Sequence, residues 1–317
     1  MSKQTKQSQT VSPIPKHKKR RGKGCCLLTL LVPVLALAFG YLWYFQRPLP
    51  ANRHRTPFPD VEYIREVRRQ EPRLIAHILK VPLGSPKHRF FVTPPEDPKA
   101  ELPLAAQTTT QFLQKYKLQA AVNADAFYPW WSRSLFNYYP HVGDRSATQG
   151  ISASQGTVYV FPPKRKRELY PTLYFSQDNR AQFFKPQGKI YNAISGMFML
   201  INKGDLPKVT AVSEPYFYRQ RDPRSAIGID REGKTLIIVV VDGRQPNYSE
   251  GATLSELTEI MVRHGIYYGM NLDGGGSSAL VVEGKNGQPL TLNSPIDCRI
   301  PGRQRAIANH LGVFIEK

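Results

Sequence analysis

The sequence predicts an α+β fold, with a mixed, largely antiparallel β-sheet core and few helices, preceded by one transmembrane helix. Short apolar runs bounded by Gly, Pro, Asn and Asp recur between residues 74 and 315, which is typical of strands in hairpin order. Helical periodicity is confined to two segments, Thr109–Leu118 and Gly251–Gly265. One further stretch, Cys25–Phe45, has no charge, and a helix of its length would cover a hydrocarbon core of ~30 Å.

The N-terminal segment carries a strongly asymmetric charge. Eight Lys and Arg residues and no acid lie in residues 1–24, and Tyr41, Trp43 and Tyr44 lie at the far end of the apolar stretch. This positive-inside pattern predicts a cytoplasmic N-terminus, with residue 46 onward outside the membrane. The alternative is a cleavable signal peptide with a small-residue site at Ala36-Leu37-Ala38. A retained anchor is favoured because the apolar run continues to Phe45.

These features divide the chain into four parts. Residues 1–24 are a basic tail, 25–45 a transmembrane signal-anchor helix, 46–72 a Pro/Arg-rich stalk and 73–317 a globular domain. Within the stalk, Val61–Arg69 could form a short helix. The globular part contains a single cysteine, Cys298, so no disulfide can form within it and its core must stabilise it.

The strands follow from apolar runs and turn residues. They are predicted at Leu74–Val81, His88–Val92, Ala120–Asn123, Thr157–Phe161, Leu173–Phe175, Ala193–Ile201, Arg224–Ile229, Thr235–Val241, Ile266–Leu272, Ser278–Glu283 and His310–Ile315. Thr235–Val241 is almost entirely apolar, which predicts a strand buried on both faces at the centre of a sheet. Residues 128–149 are rich in aromatic residues, Gly and Pro and are predicted to form a long loop.

The helix at Gly251–Gly265 has defined ends. Thr253 and Glu256 have the spacing of a capping box, and Gly265 is a C-terminal stop signal. Glu256 is therefore interpreted first as a capping residue and only second as a catalytic carboxylate.

The segment Asn271–Ser278, of sequence NLDGGGSS, is the strongest candidate for a site. Its three glycines would let the backbone approach a ligand and turn N–H groups toward an anion. Asp273 would place a carboxylate beside them. The segment is not a nucleotide-binding phosphate loop, because it contains no Lys and a strand follows it. The alternative is a tight hairpin that needs glycine for its backbone angles.

Other strand ends also carry polar side chains. Asp242 and Arg244 follow the central apolar strand directly and could share a pocket with Asp273. Asn123 and Asp125 follow another strand. The alternative for such residues is an ordinary turn whose side chains bond their own backbone. The aromatic side chains of the loop could stack on sugar rings or pack on the domain; they are Tyr128, Trp130, Trp131, Tyr138 and Tyr139.

Five motifs in order resemble one family. They are RSAIGI (Arg224–Ile229), VVVDGRQ (Val239–Gln245), GATLSELTEIM (Gly251–Met261), NLDGGGSSALVV (Asn271–Val282) and RAIANHLGV (Arg305–Val313). Together they are similar to the phosphodiester glycosidase domain, over roughly residues 74–315. Where that family usually has an NGGFF-like string, this chain has NADAF (Asn123–Phe127), so Asp125 would narrow the pocket or contribute a carboxylate.

The resemblance implies hydrolysis of a sugar-1-phosphodiester at its glycosidic bond. It implies Asp273 as the essential carboxylate, Asp242 as the second, and arginines on the phosphate. The implied substrate-binding residues are Asn123, Asp125, Ser195, Gly196, Arg224, Arg244, Asn271, Gly274, Gly275, Gly276, Ser277 and Arg305. No cofactor and no metal site are expected, and a bound divalent ion is left open.

Three functions remain to be distinguished. The first is a membrane-anchored, outward-facing hydrolase of sugar-1-phosphodiesters in glycans or envelope polymers, with the lipid bilayer as a partner through residues 25–45. The second is a non-catalytic protein that binds anionic glycans. The third, a nucleic-acid binder, rests on the net charge of +20 alone, because no recognition motif is present, and nucleic acid is not expected as a partner.

Overall fold

The described residues of the N-terminal unit form a single helix. A computed structural model describes residues 24–186, 188–206 and 219–316, and the chain divides into two units, Met1–Trp43 and Tyr44–Lys317. Helix α1 (Gly24–Phe45) includes Pro33. No helix in the described part of the chain is both long and apolar enough to cross a membrane, so the predicted transmembrane helix is not supported. The predicted basic tail lies outside the described residues, except for its last residue.

The second unit consists mainly of short strands. Its helices in the described ranges are α2 (Thr109–Lys115), α3 (Lys164–Arg167) and α4 (Leu254–Arg263), and a 3-10 turn covers Gly275–Ser277. The strands are β1 (Arg53–Phe58), β2 (Val61–Arg68), β3 (Leu74–Pro82), β4 (His88–Val92), β5 (Leu104–Ala105), β6 (Ala120–Asn123), β7 (Phe127–Tyr128), β8 (Trp131–Ser132), β9 (Tyr138–Tyr139), β10 (Arg145–Thr148), β11 (Ser152–Ser154), β12 (Thr157–Val160), β13 (Thr172–Phe175), β14 (Ala181–Phe183), β15 (Asn192–Ser195), β16 (Phe198–Ile201), β17 (Arg224–Ile229), β18 (Thr235–Val241), β19 (Tyr268–Asn271), β20 (Leu280–Glu283), β21 (Pro289–Thr291), β22 (Ile296–Asp297), β23 (Ile300–Pro301) and β24 (His310–Ile315).

Three larger sheets organise these strands. A seven-stranded sheet has the order β1-β2-β3-β18-β17-β19-β16, and two five-stranded sheets have the orders β21-β20-β6-β24-β4 and β12-β11-β15-β13-β14. Every ladder formed by the described residues is antiparallel. The α+β class and the antiparallel core are therefore confirmed, whereas the expectation of a mixed sheet is wrong for this part of the chain.

The seven-stranded sheet has a core on each face. On one face, Ile238 and Val240 of β18 pack with residues of both five-stranded sheets, such as Val122 and Leu173. On the other face, Ile237, Val239 and Val241 pack with apolar residues of helix α4. The prediction that Thr235–Val241 is buried on both faces is confirmed, because alternate side chains of a strand point to opposite faces.

Helix α4 begins at the predicted capping box. The Thr253 hydroxyl accepts from the Glu256 backbone N–H at 3.2 Å, and the Glu256 carboxylate accepts from the Thr253 backbone N–H at 3.0 Å. Glu256 also forms ion pairs with Arg221 and Arg68. These contacts confirm Glu256 as a capping residue, a position whose hydrogen bonds stabilise a helix by about 1 kcal/mol.

The predicted stalk is the largest local error. Residues 53–68 form the edge hairpin β1–β2 of the seven-stranded sheet, so the optional helix over Val61–Arg69 is wrong. Val61 and Tyr63 are buried in the core while Glu62 is exposed. This alternation with period 2 is present in the sequence. It was not recognised as a strand because the surrounding residues are rich in Pro and Arg.

Two other elements differ from prediction. The single strand expected over Ala193–Ile201 is two strands, β15 and β16, which belong to different sheets and are separated at Gly196. The long loop expected at 128–149 contains the short strands β8, β9 and β10, and the last residue of β7, Tyr128, is its first residue. Isolated pairs of strand residues have too little periodicity to be recognised from sequence.

Candidate active site

The glycine-rich segment connects two different sheets. Strand β19 ends at Asn271 in the seven-stranded sheet, and β20 begins at Leu280 in a five-stranded sheet. Asp273 and the 3-10 turn at Gly275–Ser277 lie in the crossing between them. The alternative of a tight hairpin is therefore wrong, because the flanking strands do not pair with each other. The segment therefore links the two sheets.

The backbone N–H groups of this turn are mostly used within the protein. Those of Gly275, Ser277 and Ser278 donate to main-chain carbonyls at 2.8, 3.2 and 3.3 Å. The Gly274 N–H donates to its neighbour's carboxylate, Asp273 Oδ1, at 3.0 Å. The predicted nest of inward-pointing N–H groups is thus not formed at these positions.

The glycines instead make room for two arginines. A Cβ atom at Gly276 would lie 2.5 Å from a terminal nitrogen of Arg305, and one at Gly275 would lie 3.1 Å from a terminal nitrogen of Arg244. Gly275 also has a φ of +61°, which glycine adopts without strain. Positive charge therefore reaches the turn through guanidinium groups, which pack directly against backbone that carries no side chains.

Asp273 lies within this positively charged environment. Burial raises the pKa of its carboxyl above the usual value, whereas a hydrogen bond from Ser277, the Arg305 charge and the Gly274 N–H act in the opposite direction. Arg305 Nη1 also donates to Ser277 Oγ at 3.5 Å. The structure thus brings Asp273, Ser277 and Arg305 together.

Each of the two arginines is held by an aspartate. Arg244 Nε donates to Asp222 Oδ1 at 2.7 Å, and Arg305 Nε donates to Asp297 Oδ1 at 2.9 Å. A paired carboxylate orients a guanidinium group through a charge-assisted hydrogen bond. Sequence reasoning missed both aspartates. Asp222 lies two residues before Arg224 in the first motif, which was the one available signal.

Arg224, which was expected to bind the substrate, is buried in the protein. It is only 2% exposed, and its Nε and Nη2 atoms donate to the main-chain carbonyls of Ala252 and Gln220 at 3.1 and 2.9 Å. Burial lowers the pKa of Arg224, the charge of Asp222 raises it, and the charge of Arg244 lowers it further. Arg224 therefore contributes positive potential close to Arg244.

Asn123 holds the glycine-rich segment in place. Its Nδ2 donates to the main-chain oxygen of Asp273 at 2.6 Å, and its Oδ1 accepts from the Ser225 hydroxyl at 2.8 Å. Asn271 donates to the main-chain oxygen of Leu272 at 2.8 Å, and its buried Oδ1 has no hydrogen-bond partner among the residues that the structure describes. A buried acceptor without a partner is uncommon in folded proteins.

Asp125 lies in an adjoining buried cluster. It is 1% exposed and accepts hydrogen bonds from the Ser195 backbone N–H at 2.7 Å, the Ser152 hydroxyl at 3.1 Å and Asn309 Nδ2 at 2.8 Å. Burial raises the pKa of Asp125 to about 7 in spite of these donors. Gly196, which follows Ser195, packs against Asn271, since a Cβ there would be 2.6 Å from the Asn271 carbonyl oxygen. Asp125 thus fixes the Ser195-Gly196 segment.

Asp242 is not placed as expected. Its side chain is fully buried, accepts from the Ser294 backbone N–H at 2.6 Å and contacts His77 Nε2 at 3.2 Å. His77 Nδ1 in turn contacts the Tyr63 hydroxyl at 2.9 Å. The expectation that Asp242 reaches a pocket shared with Asp273 is therefore corrected, because the carboxylate is enclosed by these partners.

The aromatic loop approaches the same turn. The Arg305 guanidinium lies 5.4 Å from the Trp130 ring centroid, and Arg303 lies 4.7 Å from that of Tyr138. Trp130 is 54% exposed, so a face of its ring is open to a ligand.

A separate groove of about 1430 Å³ is lined by Tyr170, Met197 and their neighbours, and none of the predicted site residues lines it.

Known proteins resemble this chain in sequence and in fold. The family model described as phosphodiester glycosidase matches residues 116–314. The SPbeta prophage-derived uncharacterized protein YomE of Bacillus subtilis (strain 168) is 43% identical over 151 residues, which are 48% of this chain and 21% of that protein. The chain therefore spans about a fifth of the length of this curated relative.

Two solved structures share the fold. The catalytic domain of zebrafish N-acetylglucosamine-1-phosphodiester alpha-N-acetylglucosaminidase, auto-inhibited by its pro-peptide, aligns with a TM-score of 0.56 and 20% identity, over 83% of this chain and 87% of that one. A hypothetical protein from Synechocystis aligns with a TM-score of 0.50 and 17% identity, over 84% of this chain and 64% of that one. At these identities the likeness concerns the fold alone. The family model, in contrast, covers more than half of the chain, and the chain therefore belongs to the phosphodiester glycosidase family.

Proposed function

We propose that the chain hydrolyses the glycosidic bond of sugar-1-phosphodiesters and releases a free sugar. The observation that carries the proposal is the position of Asp273 on a turn whose glycines admit the guanidinium groups of Arg244 and Arg305. A phosphodiester leaving group acquires negative charge as the glycosidic bond breaks. Positive groups held in place before the reaction stabilise that developing charge most effectively.

The two sides of the reaction would be divided between different residues. Arg244 and Arg305, oriented by Asp222 and Asp297, would bind the phosphate. The Asp273 carboxyl would act on the sugar side, by proton transfer or by stabilising the oxocarbenium-like transition state. Its raised pKa suits a carboxyl that exchanges a proton during the reaction. Trp130, with its exposed ring beside Arg305, offers a surface for a sugar ring.

Isotope labelling tests the bond that is broken. We expect the full chain, incubated with sugar-1-phosphodiesters and nucleotide sugars in ¹⁸O-labelled water, to release free sugar that carries the label. Mass spectrometry of the products would show it. Label in a phosphomonoester would mean P–O cleavage and contradict the proposal. Ligand binding without turnover would favour the non-catalytic anionic-glycan-binding protein.

We also propose that the domain is membrane-anchored and faces away from the cytoplasm, with its substrates in an envelope polymer. The support is the basic charge of residues 1–24 followed by the uncharged stretch 25–45. We expect the full chain to remain in the membrane fraction after carbonate extraction, and a variant lacking residues 25–45 to leave it. Externally added protease should degrade residues 46–317 in intact spheroplasts. Recovery of the full chain in the soluble fraction would contradict this proposal.

A further inference from the structure

One arginine of the segment that precedes the first strand contacts the loop that carries Arg244. Arg47 Nη1 donates to Gln245 Oε1 at 2.9 Å and to Ser294 Oγ at 2.7 Å. The Arg47 guanidinium also lies 3.8 Å from the ring centroid of Tyr248, which is a cation–π contact. Two hydrogen bonds and an aromatic ring therefore hold this guanidinium group in one position.

The side chains that Arg47 contacts are buried. Gln245, Ser294 and Tyr248 all lie in the protein interior. Gln245 Oε1 also accepts from Ser294 Oγ at 2.8 Å, and Gln245 Nε2 donates to the Ser294 carbonyl oxygen at 2.9 Å. Hydrogen bonds in such buried networks are stronger than those of exposed side chains and support one another. Arg47 is thus part of a buried polar network.

The loop that Arg47 contacts has an unfavourable backbone conformation. It covers residues 243–251, between β18 and helix α4, and we call it the Arg244 loop. The backbone is left-handed at Arg244, with a φ of +57°, and at Asn247, with a φ of +61°. Residues other than glycine adopt such angles at a cost, and the angles persist only where the surrounding structure enforces them. The conformation of Arg244 therefore depends on the contacts of its loop.

The two ends of the Arg244 loop are held by close backbone packing. A Cβ atom at Gly243 would lie 2.5 Å from the Pro223 nitrogen, and one at Gly251 would lie 2.6 Å from the Asp222 carbonyl carbon. Asp222 is also the residue whose carboxylate accepts from Arg244 Nε at 2.7 Å. The ends of the loop are thus packed against the segment that orients the Arg244 guanidinium.

The middle of the Arg244 loop is where Arg47 acts. Within the loop, the backbone N–H groups of Tyr248 and Ser249 donate to the Gln245 carbonyl oxygen at 3.1 and 2.9 Å. Arg47 contacts the side chains of both Gln245 and Tyr248, and so connects the two sides of this turn. Gln245 directly follows Arg244 in the chain. Removal of the Arg47 guanidinium should therefore loosen the part of the loop next to Arg244.

We propose that Arg47 is a positioning residue of the candidate active site, which fixes the Arg244 loop so that the Arg244 guanidinium stays against Gly275. Arg47 acts through Arg244 and is not assigned a contact with the substrate. The role of Arg244 in binding phosphate rests on the proposed function, whereas the restraint of the loop by Arg47 does not. A residue of the segment predicted as a stalk thereby contributes to the site.

Steady-state kinetics of variants of the full chain test this role. We expect Arg47→Ala to lower kcat/KM for a sugar-1-phosphodiester at least tenfold, because Arg244 is no longer held in place. Arg47→Lys keeps a cation that can donate to the same oxygen atoms, and should retain at least a third of the wild-type value. The matched control Arg53→Ala makes the same change of charge at an exposed position of β1 and should stay within twofold of wild type. Wild-type activity in Arg47→Ala would overturn the proposal.

A double-mutant cycle separates positioning from a general effect on the fold. If Arg47 acts through Arg244, Arg47→Ala should lower kcat/KM less than twofold in a chain that already carries Arg244→Ala. The same tenfold loss in both backgrounds would overturn the proposal and leave Arg47 a role in stability alone.

Hydrogen exchange, followed by mass spectrometry, tests the restraint of the loop without any turnover. We expect Arg47→Ala to speed exchange in residues 243–251 at least tenfold and to leave exchange in β18 unchanged, because only the loop loses a contact. Unchanged exchange in the loop would overturn the proposal, and so would an equal increase throughout the domain. If the wild type turns over no phosphodiester, the proposed function fails, and hydrogen exchange still decides whether Arg47 fixes the Arg244 loop.

Discussion

Replacing Asp273 by Asn should lower kcat for a sugar-1-phosphodiester by roughly 10²–10⁴ while leaving the fold intact. Asn has nearly the same shape as Asp, and its side-chain oxygen can still accept the hydrogen bond from the Gly274 N–H, which spans 3.0 Å in the native protein. The variant cannot transfer a proton or carry negative charge at that position. Substrate affinity should change less than threefold, because Arg244 and Arg305 are retained.

The matched control for this variant is Asp60→Asn. Asp60 is exposed and has a φ of +59°, which Asn tolerates as readily as Asp. Steady-state kinetics and thermal unfolding should be measured on both variants. Full activity in Asp273→Asn with an unchanged melting temperature would show that Asp273 is not the essential carboxylate. Loss of activity in Asp60→Asn would point to a general effect of the change in charge.

Asp125 should make the stability of the protein fall as the pH rises from about 4 to about 8. Its pKa is raised to about 7 in the folded state, from an ordinary value of 3.8. Between these values the folded chain keeps a proton that the unfolded chain has lost, so stability is largest below the lower value and decreases through the higher one. At 1.36 kcal/mol per pKa unit, the contribution of Asp125 to the free energy of unfolding should drop by roughly 4 kcal/mol.

The variant Asp125→Asn isolates this contribution because it does not titrate. Urea unfolding of wild type and variant should be measured at several pH values. The free energy of unfolding of the wild type minus that of the variant should decrease as the pH rises. A value of this difference that stays constant or increases with pH would contradict the raised pKa and show that the three donors outweigh burial.

The variant Asp125→Ala leaves the donors of Ser195, Ser152 and Asn309 unsatisfied. It should lower the free energy of unfolding by about 3–5 kcal/mol at neutral pH.

The candidate site could be proposed from the sequence because its parts lie in ordered local motifs. The order of residues 271–278 identified Asp273, Ser277 and the glycines, and the strand preceding them was visible as an apolar run. The guanidinium groups that face the glycines come from positions 244 and 305, and nothing in local spacing links them to Gly275 and Gly276. The glycines were therefore expected to present N–H groups, whereas they accommodate arginine side chains.

The surroundings of Asp242 could not be predicted from the sequence either. Its position at the end of a buried strand suggested a role in the active site. In the structure, its carboxylate is buried and contacts His77 and the Ser294 backbone N–H. Which layer covers a strand end depends on the packing of distant segments. Asp125 is a similar case, because its three donors come from positions 152, 195 and 309.

The sequence by itself determined the α+β class, the central buried strand, the capped helix and the family, because these depend on periodicity, capping residues and motif order within short windows. Only the tertiary structure decided that residues 53–68 extend the central sheet, that Asp242 is enclosed, and that two arginines converge on the glycine-rich turn. Strand register and the packing of layers bring together residues far apart in the chain. Such contacts leave no local pattern from which they could be predicted.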